Sequence, residues 1–144
     1  MDQNNGIVIH LTSEPRYFSI VRAATEAAAF ACDLGSAAAS QIKIAVTEAL
    51  ANVTNHGYKG QTDRPIQITL APARDHGRPG LSIMIEDECT DVDLARIQGR
   101  PLDEVRPGGL GVHIIHKTMD QVEYRRRSNG EGICLHMVKY AKVS

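Results

Sequence analysis

The chain has 144 residues, a length that fits a single domain with a substantial hydrophobic core. Hydrophobic residues make up 42% of it and charged residues 23%, the composition of an ordinary soluble globular domain. The net charge of -1 gives no bulk attraction for nucleic acid or an anionic membrane, and the absence of Trp argues against a surface for stacking bases.

The sequence also argues against a membrane protein, a secreted protein and a domain held together by disulfides or zinc. No apolar run approaches the roughly 20 residues of a membrane span. The N-terminal stretch MDQNNGIVIHLT has an acidic residue and no basic region, so it does not resemble a secretory signal. Three cysteines lie far apart without CxxC spacing, which makes a disulfide framework or zinc site improbable and predicts a cytoplasmic location: Cys32, Cys89 and Cys134.

The first half of the chain predicts one strand followed by two helices. Residues 6–12 are rich in β-branched side chains, with Val8 and His10 alternating against Ile7, Ile9 and Leu11, as is typical of a strand. Ser13 is predicted to cap a first helix that stops at Gly35. Ser36 is predicted to cap a second helix that ends near His56.

The second helix carries a polar row beside an apolar stripe. Glu48, Asn52 and His56 recur every fourth residue, so they share one side of a regular helix. A carboxylate, an amide and an imidazole in line suit a magnesium–phosphate site, because magnesium prefers oxygen ligands and a carboxylate can orient an attacking hydroxyl. By spacing alone, an ordinary solvent-facing row is the alternative. The stripe predicted to face the core is Ile42, Val46, Ala49, Leu50 and Val53.

The second half predicts two strand pairs separated by a helix. Residues 65–72 pair with 81–86, and residues 121–127 pair with 133–140. A helix over residues 112–119 lies between the pairs. Adjacent strand pairs without βαβ alternation predict an α+β fold: a two-layer α/β sandwich with a mainly antiparallel sheet and helices on one face. No repeat or second domain is evident, so residues 1–144 are expected to form one domain.

A Gly-rich segment opens the third predicted helix. Gly108, Gly109, Leu110 and Gly111 place free backbone N–H groups at a helix N-terminus, where the dipole favours anions. Residues 98–107 before it contain Gly, two Pro and several charges, and are expected to be irregular and mobile enough to cover a ligand. The segment fits neither a Walker A loop nor a Rossmann fingerprint. Its alternative is a junction that needs glycine for its backbone angles.

Asp87 ends a predicted strand, where its carboxylate could accept a hydrogen bond from an amino group such as that of adenine, or simply be solvated. A polar helix row, an acid that ends a strand and a Gly-rich helix start therefore follow in order. In this order the chain resembles the Bergerat-type (GHKL) ATPases of gyrase, heat-shock chaperones, histidine kinases and MutL, and within them the anti-sigma factor serine/threonine kinases. The matching motifs are Ser13-x-Pro15 with Val21-Arg22, Ala45-Val46-x-Glu48-Ala49-x-x-Asn52 with His56-Gly57-Tyr58, Asp87, and Gly109-Leu110-Gly111.

The resemblance implies a role for each of these groups. Asn52 would ligate a Mg²⁺ ion that bridges the phosphates of ATP, and Glu48 would act as the general base toward an acceptor serine. Asp87 would bind the adenine amino group. The remaining residues would hold the phosphates, although His56 could equally cap a helix end: Gly108, Gly109, Leu110, Gly111, His56 and Lys59.

The implied function is an ATP-dependent protein kinase that phosphorylates an antagonist protein of the STAS type and also binds a sigma factor or other regulator, with a homodimer possible. Two residues depart from the family pattern. Cys89 replaces a glycine after the aspartate, and Ile133 replaces a threonine that contacts the Asp–adenine pair. These departures favour the alternative of a non-catalytic binding module. The detached catalytic domain of a histidine kinase is expected less, because no helical hairpin with a phospho-acceptor histidine precedes the first strand.

Overall fold

The computed structural model describes residues 6–90, 109–128 and 130–142. Within them the predicted α+β fold is confirmed: a five-stranded antiparallel sheet and three α-helices. The short helices at Pro15–Tyr17 (3₁₀) and Val53–Gly57 (π) flank the first two α-helices. The main elements are β1 (Ile7–Thr12), α1 (Phe18–Ala31), α2 (Ser36–Asn52), β2 (Pro65–Asp75), β3 (Arg78–Asp87), α3 (Gly109–Thr118), β4 (Gln121–Arg126) and β5 (Ile133–Tyr140).

The sheet has the strand order β1-β2-β3-β5-β4, and every neighbouring pair is antiparallel. β2 and β3 form a hairpin in which Asp75 faces Arg78 across a two-residue turn. Both strands extend further toward the turn than the predicted ranges 65–72 and 81–86, so the connection between them is short. His76 and Gly77 both have positive φ, at 51° and 83°, which is the backbone that short hairpin turns require. β5 lies next to β3 at the centre of the sheet, so the end of β3 packs beside the start of β5.

One face of the sheet packs against the helices to form the core. Ile68, Ile83 and Met137 point inward from β2, β3 and β5 and are fully buried. The predicted stripe of α2 lies against them, with all but the partly exposed Val53 buried. The helices therefore cover one face of the sheet, as the two-layer prediction requires. Burial does not alternate along the central strands, since six consecutive residues of β3 are buried. No helix in the described ranges is both long enough and apolar enough to cross a membrane.

The predicted helix starts are wrong in detail. Ser13 does not cap a helix: its hydroxyl donates to the Gln61 carbonyl at 2.6 Å and accepts the Arg64 N–H at 3.2 Å. These bonds tie the end of β1 to the segment before β2, so a tertiary contact uses the group that a cap would need. Ser36 is the first residue of α2 and makes no side-chain cap bond. α1 ends at Ala31, before the predicted stop at Gly35.

The end of the second helix changes its winding. α2 stops at Asn52, and Val53–Gly57 forms a π-helix in which the Tyr58 N–H bonds the Val53 carbonyl at 2.7 Å. A π-turn contains more residues than an α-turn, so a spacing of four no longer returns to the same side. The row of Glu48 and Asn52 is consequently not continued in regular helical register to His56, which is exposed to solvent.

Candidate functional site

Glu48 and Asn52 face the beginning of α3. They lie one turn apart near the C-terminal end of α2, which packs against α3. A Cβ atom added at Gly111 would lie 2.9 Å from Glu48 Oε2 and 3.4 Å from Asn52 Oδ1. The two predicted polar groups and the predicted glycine are thus brought together, and the absence of a side chain at Gly111 leaves room for both.

Asn52 has an unused donor at this point. Its Nδ2 is shielded from solvent and has no hydrogen-bond partner within the described ranges. Such a buried unpaired group is uncommon in a folded protein, and a bound ligand, ion or water is one explanation for it. Glu48 and Asn52 supply oxygen donors of the kind that Mg²⁺ accepts. Among the residues described, no group of three or more His, Cys, Asp or Glu is placed so that it could hold a metal ion.

The N-terminus of α3 lies beside these side chains. Gly109, Leu110 and Gly111 begin the ten-residue helix, as predicted, whereas Gly108 and the predicted mobile segment 98–107 lie outside the described residues. The first backbone N–H groups of a helix have no partner within it, and the helix dipole is positive at this end. An anion at the start of α3 would therefore sit against the Glu48–Asn52 pair.

Asp87 occupies the other end of the candidate site. It is the last residue of β3 and is only 5% exposed. Its Oδ1 accepts the backbone N–H groups of Cys89 at 2.8 Å and Ile133 at 3.2 Å. Burial raises the pKa of the Asp87 carboxyl, although the two backbone donors and the Arg127 charge oppose that shift. Within the described part of the chain, both of these bonds go to Oδ1 and no hydrogen bond reaches Oδ2.

The two departures from the family pattern both touch Asp87. Cys89 is buried, and its thiol donates to the Gly57 carbonyl at 2.9 Å. Ile133 contributes its backbone N–H to Asp87, but its buried side chain is aliphatic and adds no hydroxyl. Among the residues that the structure describes, the predicted base-binding end thus combines the Asp87 carboxylate with two weakly polar or apolar side chains.

The structure also shows where three further residues near the candidate site lie. His56, in the π-helix, and Lys59, in the turn that follows it with a φ of 54°, are both exposed. The sequence alone assigns no role to Gly132. Its φ is +110°, and the Asp87 carbonyl occupies the space where a Cβ would lie, so only glycine fits. Its approach to Asp87 is a tertiary contact, which the local sequence does not specify.

An open groove of about 560 Å³ lies between α1 and α2 and reaches Glu48. The Lys43 ammonium and the Glu26 carboxylate form an ion pair of 2.6 Å across it. Arg22 also lines the groove, and it has no ion pair with any residue that the structure describes. Ile44, 47% exposed, adds an apolar patch beside these charges. Glu48 can thus be approached from the surface of the helix layer.

The amino-acid sequence is similar to one domain family and to several named proteins. The model of the histidine kinase-like ATPase domain matches residues 11–139. The serine-protein kinase RsbW of Listeria monocytogenes serotype 4a is 30% identical over 142 residues, covering 93% of this chain and 86% of that protein. RsbW of Oceanobacillus iheyensis is 27% identical, covering 97% and 89% of the two chains. RsbW of Bacillus subtilis is 26% identical, covering 93% and 84%.

Proposed function

Because the chain belongs to the family of histidine kinase-like ATPase domains, we propose that it is a protein kinase that transfers the γ-phosphoryl group of ATP to a serine or threonine of a partner protein. The observation that carries the proposal is the convergence of Glu48 and Asn52 on Gly111 at the N-terminus of α3. The similarity to serine-protein kinases over more than nine-tenths of the chain supports the choice of reaction.

Each part of the site has a proposed task. Asn52 would hold Mg²⁺ through its amide oxygen, and bound Mg²⁺ would neutralise phosphate charge. The backbone of Gly109, Leu110 and Gly111 would bind phosphate oxygens. Glu48 would orient the acceptor hydroxyl and take its proton as the oxygen bonds to phosphorus and the bond to ADP breaks. Most of the catalysis in such a reaction comes from positioning and charge neutralisation.

The remaining groups have supporting roles in the proposal. Asp87 would accept a hydrogen bond from the adenine amino group through Oδ2. Only the resemblance supports a phosphate-binding role for His56, Lys59 and Gly108. The first two are exposed, and the third lies outside the described residues. Domain boundaries at 1 and 144 and a cytoplasmic location likewise stay predictions.

We further propose that the phospho-acceptor protein approaches through the groove between α1 and α2. That groove ends at Glu48, and it combines an apolar residue with the Arg22 cation, which suits an acidic or phosphorylated surface. The partner is proposed to be a STAS-type antagonist, with a sigma factor or other regulator as the second partner. We also propose that the protein can form a homodimer.

Phosphoryl transfer tests the proposal directly. The purified protein is incubated with Mg²⁺, γ-labelled ATP and a serine-containing antagonist encoded near its gene, and Glu48→Gln serves as the matched variant. We expect label on the antagonist with the wild type and a loss of at least about 100-fold in rate with E48Q, a typical effect of losing a general base. ATP binding without transfer by the wild type would contradict the kinase assignment.

A second function is favoured by Cys89 and Ile133, which alter the surroundings of Asp87. A non-catalytic module would regulate a partner by binding it, with nucleotide as an effector or with no nucleotide at all. Calorimetric titration with Mg²⁺ and ATP separates the two: no binding at millimolar nucleotide favours the module, whereas binding followed by transfer favours the kinase.

A further inference from the structure

The Tyr58 hydroxyl joins two strands at the edge of the candidate site. It donates to the Pro65 carbonyl at 2.6 Å, where β2 begins, and accepts the Glu88 N–H at 2.7 Å, immediately after β3 ends. The Tyr58 side chain is 5% exposed and belongs to the hydrophobic core. Burial raises the pKa of Tyr58 to about 12, so the hydroxyl keeps its proton and its donor role throughout the physiological range.

A second bond lies beside the first. The Cys89 thiol donates to the Gly57 carbonyl. The two residues are packed in direct contact, since a Cβ atom added at Gly57 would lie 3.6 Å from the Cys89 sulfur. Two consecutive residues, Gly57 and Tyr58, therefore hold two consecutive residues, Glu88 and Cys89. The Cys89 N–H in turn bonds Asp87 Oδ1. Tyr58 is thus connected to the Asp87 carboxylate through one short stretch of backbone.

The same residue is attached to the phosphate end of the site. The Tyr58 N–H closes the π-turn that begins directly after Asn52. Its backbone belongs to the segment that carries Asn52, and its hydroxyl holds the segment that carries Asp87. A single buried side chain therefore sets the spacing between the proposed phosphate-binding and base-binding groups.

We infer that Tyr58 is a positioning residue for base recognition: its hydroxyl holds the Glu88–Cys89 backbone so that Asp87 Oδ2 meets the exocyclic amino group of the base. The inference rests on the proposed nucleotide-binding function. It differs from a purely structural role, because a structural role lowers the affinity for every nucleotide equally. A positioning role affects a base with an amino group more than one without.

The test uses Tyr58→Phe, which removes one oxygen, with Tyr140→Phe as the matched control. The Tyr140 hydroxyl accepts a bond of 3.2 Å from Gln121, on the β4–β5 hairpin, and among the described residues it makes no hydrogen bond to those proposed to bind nucleotide. Two readouts are needed: amide hydrogen exchange at Glu88 and Cys89 without nucleotide, and the dissociation constants for ATP and for inosine triphosphate, which lacks the amino group, both with Mg²⁺.

We expect Y58F to speed exchange at Glu88 and Cys89 at least tenfold and to reduce the preference for ATP over inosine triphosphate at least fivefold, with the affinity for inosine triphosphate within twofold of the wild type. Y140F should change neither. Equal losses for both nucleotides, or unchanged exchange, would overturn the inference. If Y58F fails to fold, the wild type supplies the test, because the Tyr58 hydroxyl accepts the Glu88 N–H at 2.7 Å: strong exchange protection of that amide without nucleotide supports the inference, and an unprotected amide overturns it.

The outcomes also separate this inference from the proposed function. A wild type that binds neither nucleotide refutes the nucleotide site and this role of Tyr58 together. A wild type that binds and transfers from ATP normally, with Y58F showing the wild-type preference, leaves the kinase proposal standing and removes Tyr58 from base recognition.

Discussion

Replacing Gly111 with alanine should separate folding from catalysis. Gly111 lies inside α3 and is not among the described glycines with positive φ, so its backbone accepts alanine. Gly→Ala within a helix gains up to about 1 kcal/mol. In a domain of this size that corresponds to a melting temperature higher by about 3 °C. The variant is therefore expected to be at least as stable as the wild type.

The new methyl group would nevertheless disturb the site. Its carbon would lie 2.9 Å from Glu48 Oε2, about 0.5 Å closer than a comfortable contact, so the carboxylate must move. The end of a glutamate side chain moves at little cost in stability, whereas a reacting group displaced by this amount loses rate. Since a 1 Å misplacement can cost about 100-fold, we expect G111A to lower kcat by about 10- to 100-fold.

The assay combines thermal unfolding followed by circular dichroism with the initial rate of label transfer from ATP to the antagonist. Gly35→Ala is the matched control, because a Cβ there meets nothing within 4 Å and the φ of -79° suits alanine. G35A should transfer phosphate at the wild-type rate. A stable G111A variant with wild-type kcat would refute the placement of Glu48 and Asn52 at the reacting phosphate.

Asp87, Gly132 and Arg22 each offer a further test of the site. Burial raises the pKa of Asp87, so on acidification the affinity for ATP should begin to fall at a higher pH than it would with an ordinary aspartate. Asp87→Asn should bind ATP weakly, and its affinity should not show this loss at low pH. Titration calorimetry at a series of pH values checks both expectations. Gly132→Ala should be largely unfolded by circular dichroism, since its φ of +110° and the Asp87 carbonyl exclude a Cβ; a melting temperature within 3 °C of the wild type would contradict this. Arg22→Glu should slow transfer to the antagonist at least tenfold with an unchanged dissociation constant for ATP, and a wild-type rate would remove the groove from substrate docking.

Much of the fold could be predicted because it depends on local patterns. Apolar residues in the strands and the apolar stripe of α2 mark the positions that become buried, so the order and type of the elements follow from the chain alone. Helix ends were harder to predict. Ser13 has the chemistry of a cap, but its hydroxyl is used by Gln61 and Arg64, which are distant in sequence and near only after folding.

The candidate site divides in the same way. Spacing along one helix was enough to place Glu48 and Asn52 together, and glycine content was enough to predict the start of α3, because both depend on neighbours within a few residues. Local spacing failed at His56, since the π-turn that rotates it is closed by Tyr58. That the glutamate and the asparagine meet Gly111 is a contact between separate helices, which spacing within either helix cannot specify.

The sequence by itself determined the classes of element, their order, and the residue types that could handle a phosphate and a metal ion. Only the tertiary structure decided that Tyr58 bridges β2 and β3, that Gly132 makes room for Asp87, and that the Cys89 thiol binds the Gly57 carbonyl. The physical reason is that periodicity records which face of an element is buried. A hydrogen bond between distant residues requires the distances that packing alone sets.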